Sequence, residues 1–217
     1  VADVNIKDIL DRVAPEVPGC PTQFQIQAMR DTIRDFLQFT RAWIYEPAAQ
    51  TIAINTAAYA IVLPSTNVQA IAVEFMTLDE AEVRFREVDW LDRRIPNWRI
   101  RAADDFRYFT QLQPGTFIFP GIPTVAGTAN GLRYRVSIKP TRTATVVEGA
   151  QANEWIECWS DGAKARLMMM DSKGWYKPRR GAELERFYRH ARANARVRVA
   201  RSFGNAEQVA DLSRLAR

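Results

Sequence analysis

The apolar residues of this chain change their period twice, and no other feature constrains the fold as tightly. Ile6, Ile9, Leu10 and Val13 fall on one face at helical spacing. Pro15, Pro18, Gly19 and Pro21 then break the pattern. A second helical set follows in Ile26, Met29, Ile33, Phe36, Leu37 and Thr40. Thr22 is the expected N-cap of that helix, with Gln25 as its capping-box partner. Running from Thr22 to Trp43, it would be about 33 Å long.

From Gln50 onward the apolar residues alternate instead. Strands are expected over 50–55, 60–63, 70–75, 82–88, 106–110, 116–119 and 132–138, with Gln113-Pro114-Gly115 as a turn. Residues 89–98 interrupt them as a short helix or a loop. After about Thr145 helical spacing returns through Trp155, Ile156, Trp159, Ala163, Arg166, Leu167 and Met170. Gly174 and Pro178 break it. A last long helix is expected from about Gly181 to Phe203, with Leu184, Phe187, Tyr188, Ala191, Ala195 and Val199 inward and Arg186, Arg189, Arg192 and Arg196 opposite. Gly204 should end it, leaving 206–215 as a frayed or conditional helix.

Helices, then strands, then helices is an α+β order, unlike the strand–helix alternation of a doubly wound sheet. The simplest topology puts the N- and C-terminal helices, residues 1–47 and 146–217, in one bundle. Residues 48–145 would be an inserted antiparallel β-sandwich or small barrel. The 217 residues are 47% hydrophobic and 25% charged, the balance of a globular protein. No run approaches the ~18–20 apolar residues of a membrane span, so no membrane partner is expected. The opening Val1-Ala2-Asp3-Val4-Asn5 lacks the basic and apolar regions of a secretory signal. Cys20 and Cys158 are expected as free thiols.

Catalytic chemistry finds little support. The one histidine, His190, lies within the Arg-rich last helix, so a Ser-His-Asp or Cys-His arrangement would have to use it. Two distant cysteines and one histidine do not make a zinc site. No Gly-rich phosphate loop is present, and the acid pairs Asp79-Glu80 and Asp104-Asp105 read as solvated loops. No enzyme activity, metal or cofactor is expected.

Charge is concentrated at one end. The net charge is +5, with 25 arginines against 5 lysines. From Arg179 onward ten arginines face four acids, a net +6, so the remainder is nearly neutral. This basic helix has three readings: a solvated face, a grip on nucleic-acid phosphates, or docking to an acidic protein surface. Trp155 and Trp159 share a helical face, with Trp175 at the following break. Core packing is their first reading and a subunit contact the second.

Two stretches then become recognisable together. One is Asp8-Ile9-Leu10 followed by Val13-Ala14-Pro15-Glu16-Val17-Pro18-Gly19-Cys20-Pro21 and the helix to Arg41-Ala42-Trp43. The other is Ser160-Asp161-Gly162-Ala163-Lys164-Ala165-Arg166-Leu167-Met168-Met169-Met170, then Gly174-Trp175-Tyr176 and the Arg-rich helix. Arg135-Val136-Ser137-Ile138-Lys139-Pro140-Thr141 lies between them. Together they resemble the head-to-tail adaptor (neck, or connector) family of tailed bacteriophages, and the layout is similar to the tail-tubular gatekeeper proteins of short-tailed phages. The helical ends carry the resemblance; residues 77–131 are only compatible with it.

The resemblance implies a structural virion protein at the head-to-tail junction. It implies a homo-oligomeric ring, commonly twelve-fold, that contacts the portal protein on one side and tail or nozzle proteins on the other. It also implies a basic C-terminal arm that meets the portal, with a passing contact to packaged DNA. The residues expected at that docking surface or at subunit contacts are Arg186, Arg189, Arg192, Arg196, Arg198, Arg201, Trp155, Trp159 and Trp175. Residues past Phe203 are expected to become ordered on assembly.

Overall fold

A computed structural model describes residues 3–201. The chain is mixed α+β, and its strands range from two residues to the eleven of Val68–Leu78. It begins with β1 (Val4–Asn5), a 3₁₀ helix over Ile6–Arg12 and a second over Ala14–Glu16. Ile6, Ile9, Leu10 and Val13 are all buried, as their spacing predicts, but the helix that carries them is 3₁₀.

Helix α1 spans Thr22–Thr40. Its start corrects the expected capping box. Pro21 occupies the cap position, and Thr22 is already the first helical residue. The Gln25 side chain donates instead to the Cys20 carbonyl at 2.8 Å. The helix stops three residues short of Trp43 because Arg41 turns into the left-handed region at φ 56, a common way for helices to end.

The middle of the chain forms two four-stranded sheets. In chain order the elements are β2 (Ile44–Tyr45), β3 (Ala58–Ala60), β4 (Val68–Leu78), β5 (Ala81–Glu82), β6 (Arg84–Phe85), α2 (Val88–Arg94), β7 (Tyr108–Gln113), β8 (Thr116–Ile118) and β9 (Leu132–Pro140). One sheet has the order β2-β9-β4-β5 and the other β3-β8-β7-β6. All pairings are antiparallel except β6 with β7. Neither sheet closes into a barrel.

Residues 50–55 do not form the expected strand: Gln50 makes an isolated bridge to Leu132, and Asn55 is a turn residue at φ 59. The alternating run 82–88 splits between the sheets. Asp79 and Glu80, both at positive φ, make the tight turn that sets β5 against β4. Val83 is buried at the crossing, and β6 then joins β7.

In β9, Leu132, Tyr134, Val136 and Ile138 point inward. Ser137, on the opposite face, is also fully buried, because α1 packs over that end of β9. Its hydroxyl donates to Glu74 at 2.6 Å. The inner faces meet in an aromatic cluster in which Tyr59 stacks on Phe117, with Phe119 and Tyr134 edge-on.

β10 (Val146–Val147) pairs with β1 and returns the chain to the helices. α3 spans Gly149–Met168 and α4 spans Pro178–Ala200. The last helix therefore starts and ends three residues before the expected bounds, with Pro178 as its first residue, where a missing N–H costs nothing. α1, α3 and α4 pack on one another around one core, and the first 3₁₀ helix packs on α1 and α3. The sheets hold a second core from Ile52 to Ile138, and Trp43 touches both. No described helix is long and apolar enough to cross a membrane. Gly204, the segment 206–215 and the other residues expected to become ordered on assembly lie outside the described residues.

Both cysteines are free thiols. Burial pushes the Cys158 thiol up to about 12, with Asp161 adding to the shift, and burial also raises Cys20. Only the thiolate alkylates readily. At pH 8, iodoacetamide should therefore leave both thiols unmodified in the folded protein and label both in denaturant. Rapid native labelling of Cys158, read by intact mass, would contradict this environment.

Candidate docking surface

Helix α4 meets the rest of the molecule along a narrow stripe. Gly181, Leu184, Tyr188 and Ala195 are buried in it. At its centre the Tyr188 hydroxyl donates to Asp35 Oδ2 at 2.8 Å and lies 3.3 Å from the Thr32 carbonyl. Arg192 pairs with the same carboxylate, and Arg166 stands 3.6 Å from it. Burial, then Asp35, pushes the Tyr188 phenol well above its usual value.

Arg192 is therefore a correction to the predicted docking set. Its side chain is only 20% exposed, and its guanidinium lies over the rings of Phe39 and Tyr188. It fastens α4 to α1. Being four residues after Tyr188, it sits on the inward side of the helix.

The other arginines fall into three environments. Arg189 pairs with Glu185 one turn back, at 2.7 Å. Arg198 pairs with Glu154 of α3 and lies over the Trp155 ring. Exposed pairs like these contribute roughly 0.2–1 kcal/mol, so a partner can displace them. Arg196 is exposed and lies over Phe39. Arg186 and Arg201 are exposed and form no ion pair among the described residues.

Phe187 overturns a second expectation. Its spacing predicts the inward face, yet it is 56% exposed, and Val197 is 50% exposed. The inward stripe is too narrow to include it, since Tyr188 alone fills the contact at that level. Phe187, His190, Asn194, Val197 and Arg201 follow one another at steps of three and four, so they share one outward face, with Arg186 beside them. A long helix thus shows solvent two apolar side chains among cations.

The tryptophans belong to this chain's own core, the first of their two expected readings, which corrects their place among the expected contact residues. Trp159 is completely buried and meets Phe36 edge-on at 6.1 Å. Trp155 is buried against Phe36 at 5.2 Å, and Trp175 is buried beside Phe24. None has surface to offer a partner.

The remaining chemical groups are dispersed. Among the described residues no three His, Cys, Asp or Glu side chains converge as metal ligands. Asp104 accepts from the Thr124 hydroxyl and from the Thr124 and Val125 amides and pins a loop; the hydroxyl first, then the amides, hold its carboxyl below the usual range. Asp105 pairs with Arg107. No protein-family model matches this chain, and no curated protein matches it either.

Proposed function

We propose that this protein is a head-to-tail adaptor of a tailed-phage virion, a structural protein without catalytic activity. In this reading the helical part is a bundle formed by both ends of the chain, and the two sheets form a sandwich inserted into it. Copies form a ring, commonly of twelve, through head-to-tail contacts that close by rotation. The portal protein lies on one side of the ring and tail or nozzle proteins on the other.

One observation carries the docking part of this reading: the outward face of α4, where Phe187 and Val197 stand among Arg186, His190 and Arg201, uncovered by the other described residues. Apolar anchors rimmed by arginine suit a contact whose partner brings a hydrophobic pocket and an acidic border. The resemblance in the helical ends names that partner as the portal. The alternative, a nucleic-acid-binding protein, would use the same arginines on phosphates and would leave Phe187 without a role.

The test is binding to the portal protein of the same genome, read by mass and by negative-stain imaging of stacked rings. Phe187→Ala with Arg186→Ala should weaken binding at least tenfold and leave the melting temperature within about 2 °C, since neither side chain is part of the core. Arg192→Ala should do the reverse, lowering stability through the Asp35 contact. Unchanged portal binding by the Phe187 and Arg186 double variant would sink the docking surface. Salt-sensitive binding to duplex DNA without portal binding would favour the alternative.

A further inference from the structure

A second concentration of positive charge lies away from α4, where α1 crosses the end of β9. Arg30 and Arg34 are one turn apart on α1 and both reach the chain that leaves the sheet. Arg30 Nε donates to the Ala144 carbonyl at 2.9 Å, and Arg34 donates to the Pro140 carbonyl. Lys139 comes from the sheet side and donates to the Gln38 side chain, one turn beyond Arg34. Arg142, in the turn between those two carbonyls, is exposed.

Several arginines elsewhere pair with carboxylates, Arg41 with Glu74 and Arg99 with Asp92 among them, while among the described residues others such as Arg186 and Arg201 stand singly on the surface. Here, among the described residues, none of the four cations is in an ion pair. The one acid acting on Arg34 is Asp31, which itself accepts from Gln27. Burial, with the charge of the neighbouring cations, pushes Arg34 and Lys139 below their ordinary values. Holding like charges together without a counterion is costly, and an anion entering the group would recover that cost.

We propose that Arg30, Arg34, Lys139 and Arg142 form a phosphate-binding site. The backbone carbonyls hold each of the two α1 guanidiniums through one nitrogen, leaving further N–H groups of each fork for an oxyanion. Pre-oriented forks of this kind suit phosphate better than a flexible cation does. Thr141 and Thr143, 3.4 Å apart at their hydroxyls, flank Arg142 with further donors. No member of the group is aromatic, and its donors suit phosphate oxygens; contacts of that kind position a nucleic acid without reading it. The site uses none of the α4 surface and does not rest on the adaptor reading.

Duplex phosphodiester and free phosphate share this chemistry, and two measurements separate them. Binding of a fluorescent 25-base-pair duplex is followed across a salt series. Melting is followed in inorganic phosphate against chloride at equal ionic strength. Both use the wild-type chain, Arg142→Ala, Lys139→Gln, the double variant, and Arg107→Ala as a surface-charge control. Arg142 is exposed and anchors no other residue, so its removal should not unfold the protein.

For a duplex ligand, the double variant should lose at least tenfold in affinity at low salt. Its salt slope should fall by about one for each phosphate contact removed, while Arg107→Ala keeps the wild-type value. For free phosphate, the wild type should melt higher in phosphate and the double variant should not, with DNA binding unaltered by either change. If the double variant matches Arg107→Ala in both assays, the site is refuted.

Discussion

Replacing Trp159 by alanine is expected to lower the stability of the whole fold by about 3–5 kcal/mol, the range for an aromatic removed from a closed core. The indole is completely buried in the middle of α3 and meets Phe36 of α1 edge-on. Its removal opens a cavity between two helices, and residues from both ends of the chain line that core. One term works the other way: the indole N–H has no hydrogen-bond partner among the described residues. An unpaired buried donor carries a penalty of about 1–3 kcal/mol that alanine removes, so the net loss should fall toward the lower end. Trp159→Phe keeps most of the volume and also drops the donor, so it should cost far less. Urea unfolding of the three proteins measures the ordering. A Trp159→Ala protein as stable as wild type but unable to assemble would return this residue to an interface.

The same site separates what periodicity reveals from what it hides. The stripes on α1 and α3 were legible because each helix buries a broad face, and a step of three or four marks that face directly. On α4 the same rule fails because the helix touches its neighbours along a thinner line. Phe187 is only one residue from Tyr188, about 100° around the helix, and that rotation carries it into solvent. Arg192 went the other way. Its charge suggested the outer face, although four residues from Tyr188 is nearly the same side. Its partner Asp35 lies 157 residues away, so no local pattern announces the pairing.

Sheet errors have a similar cause. Residues 82–88 alternate cleanly, yet alternation cannot say that Glu82 and Arg84 belong to different sheets. The cluster of Arg30, Arg34, Lys139 and Arg142 was invisible for the same reason: more than a hundred residues of chain separate its two halves.

Gly162 makes the strongest demand on backbone geometry in the helical core. It sits within α3, where a glycine costs about 1 kcal/mol relative to alanine. Propensity alone therefore predicts that Gly162→Ala stabilises the protein, and packing predicts the opposite. A Cβ at this position would stand 2.6 Å from Thr32 Cγ2 and 2.8 and 2.9 Å from Tyr188 ring atoms. Neither neighbour can yield easily. The Thr32 hydroxyl donates to Ala28 on α1, and the Tyr188 hydroxyl is tied to Asp35. To admit a methyl, α1 and α4 would both have to draw away from α3. Overpacking of this kind costs about 1–3 kcal/mol, which exceeds the propensity gain, so Gly162→Ala should be destabilised overall. Gly162→Leu cannot be relieved by a small shift and should fail to form the three-helix contact. Because Tyr188 holds α4 in place, loosening this contact should also free the Arg192 end of the helix. Hydrogen exchange should then rise along 184–200 in Gly162→Ala before it rises in β4 and β9. A melting temperature above wild type for Gly162→Ala would show that the three helices do not approach this closely.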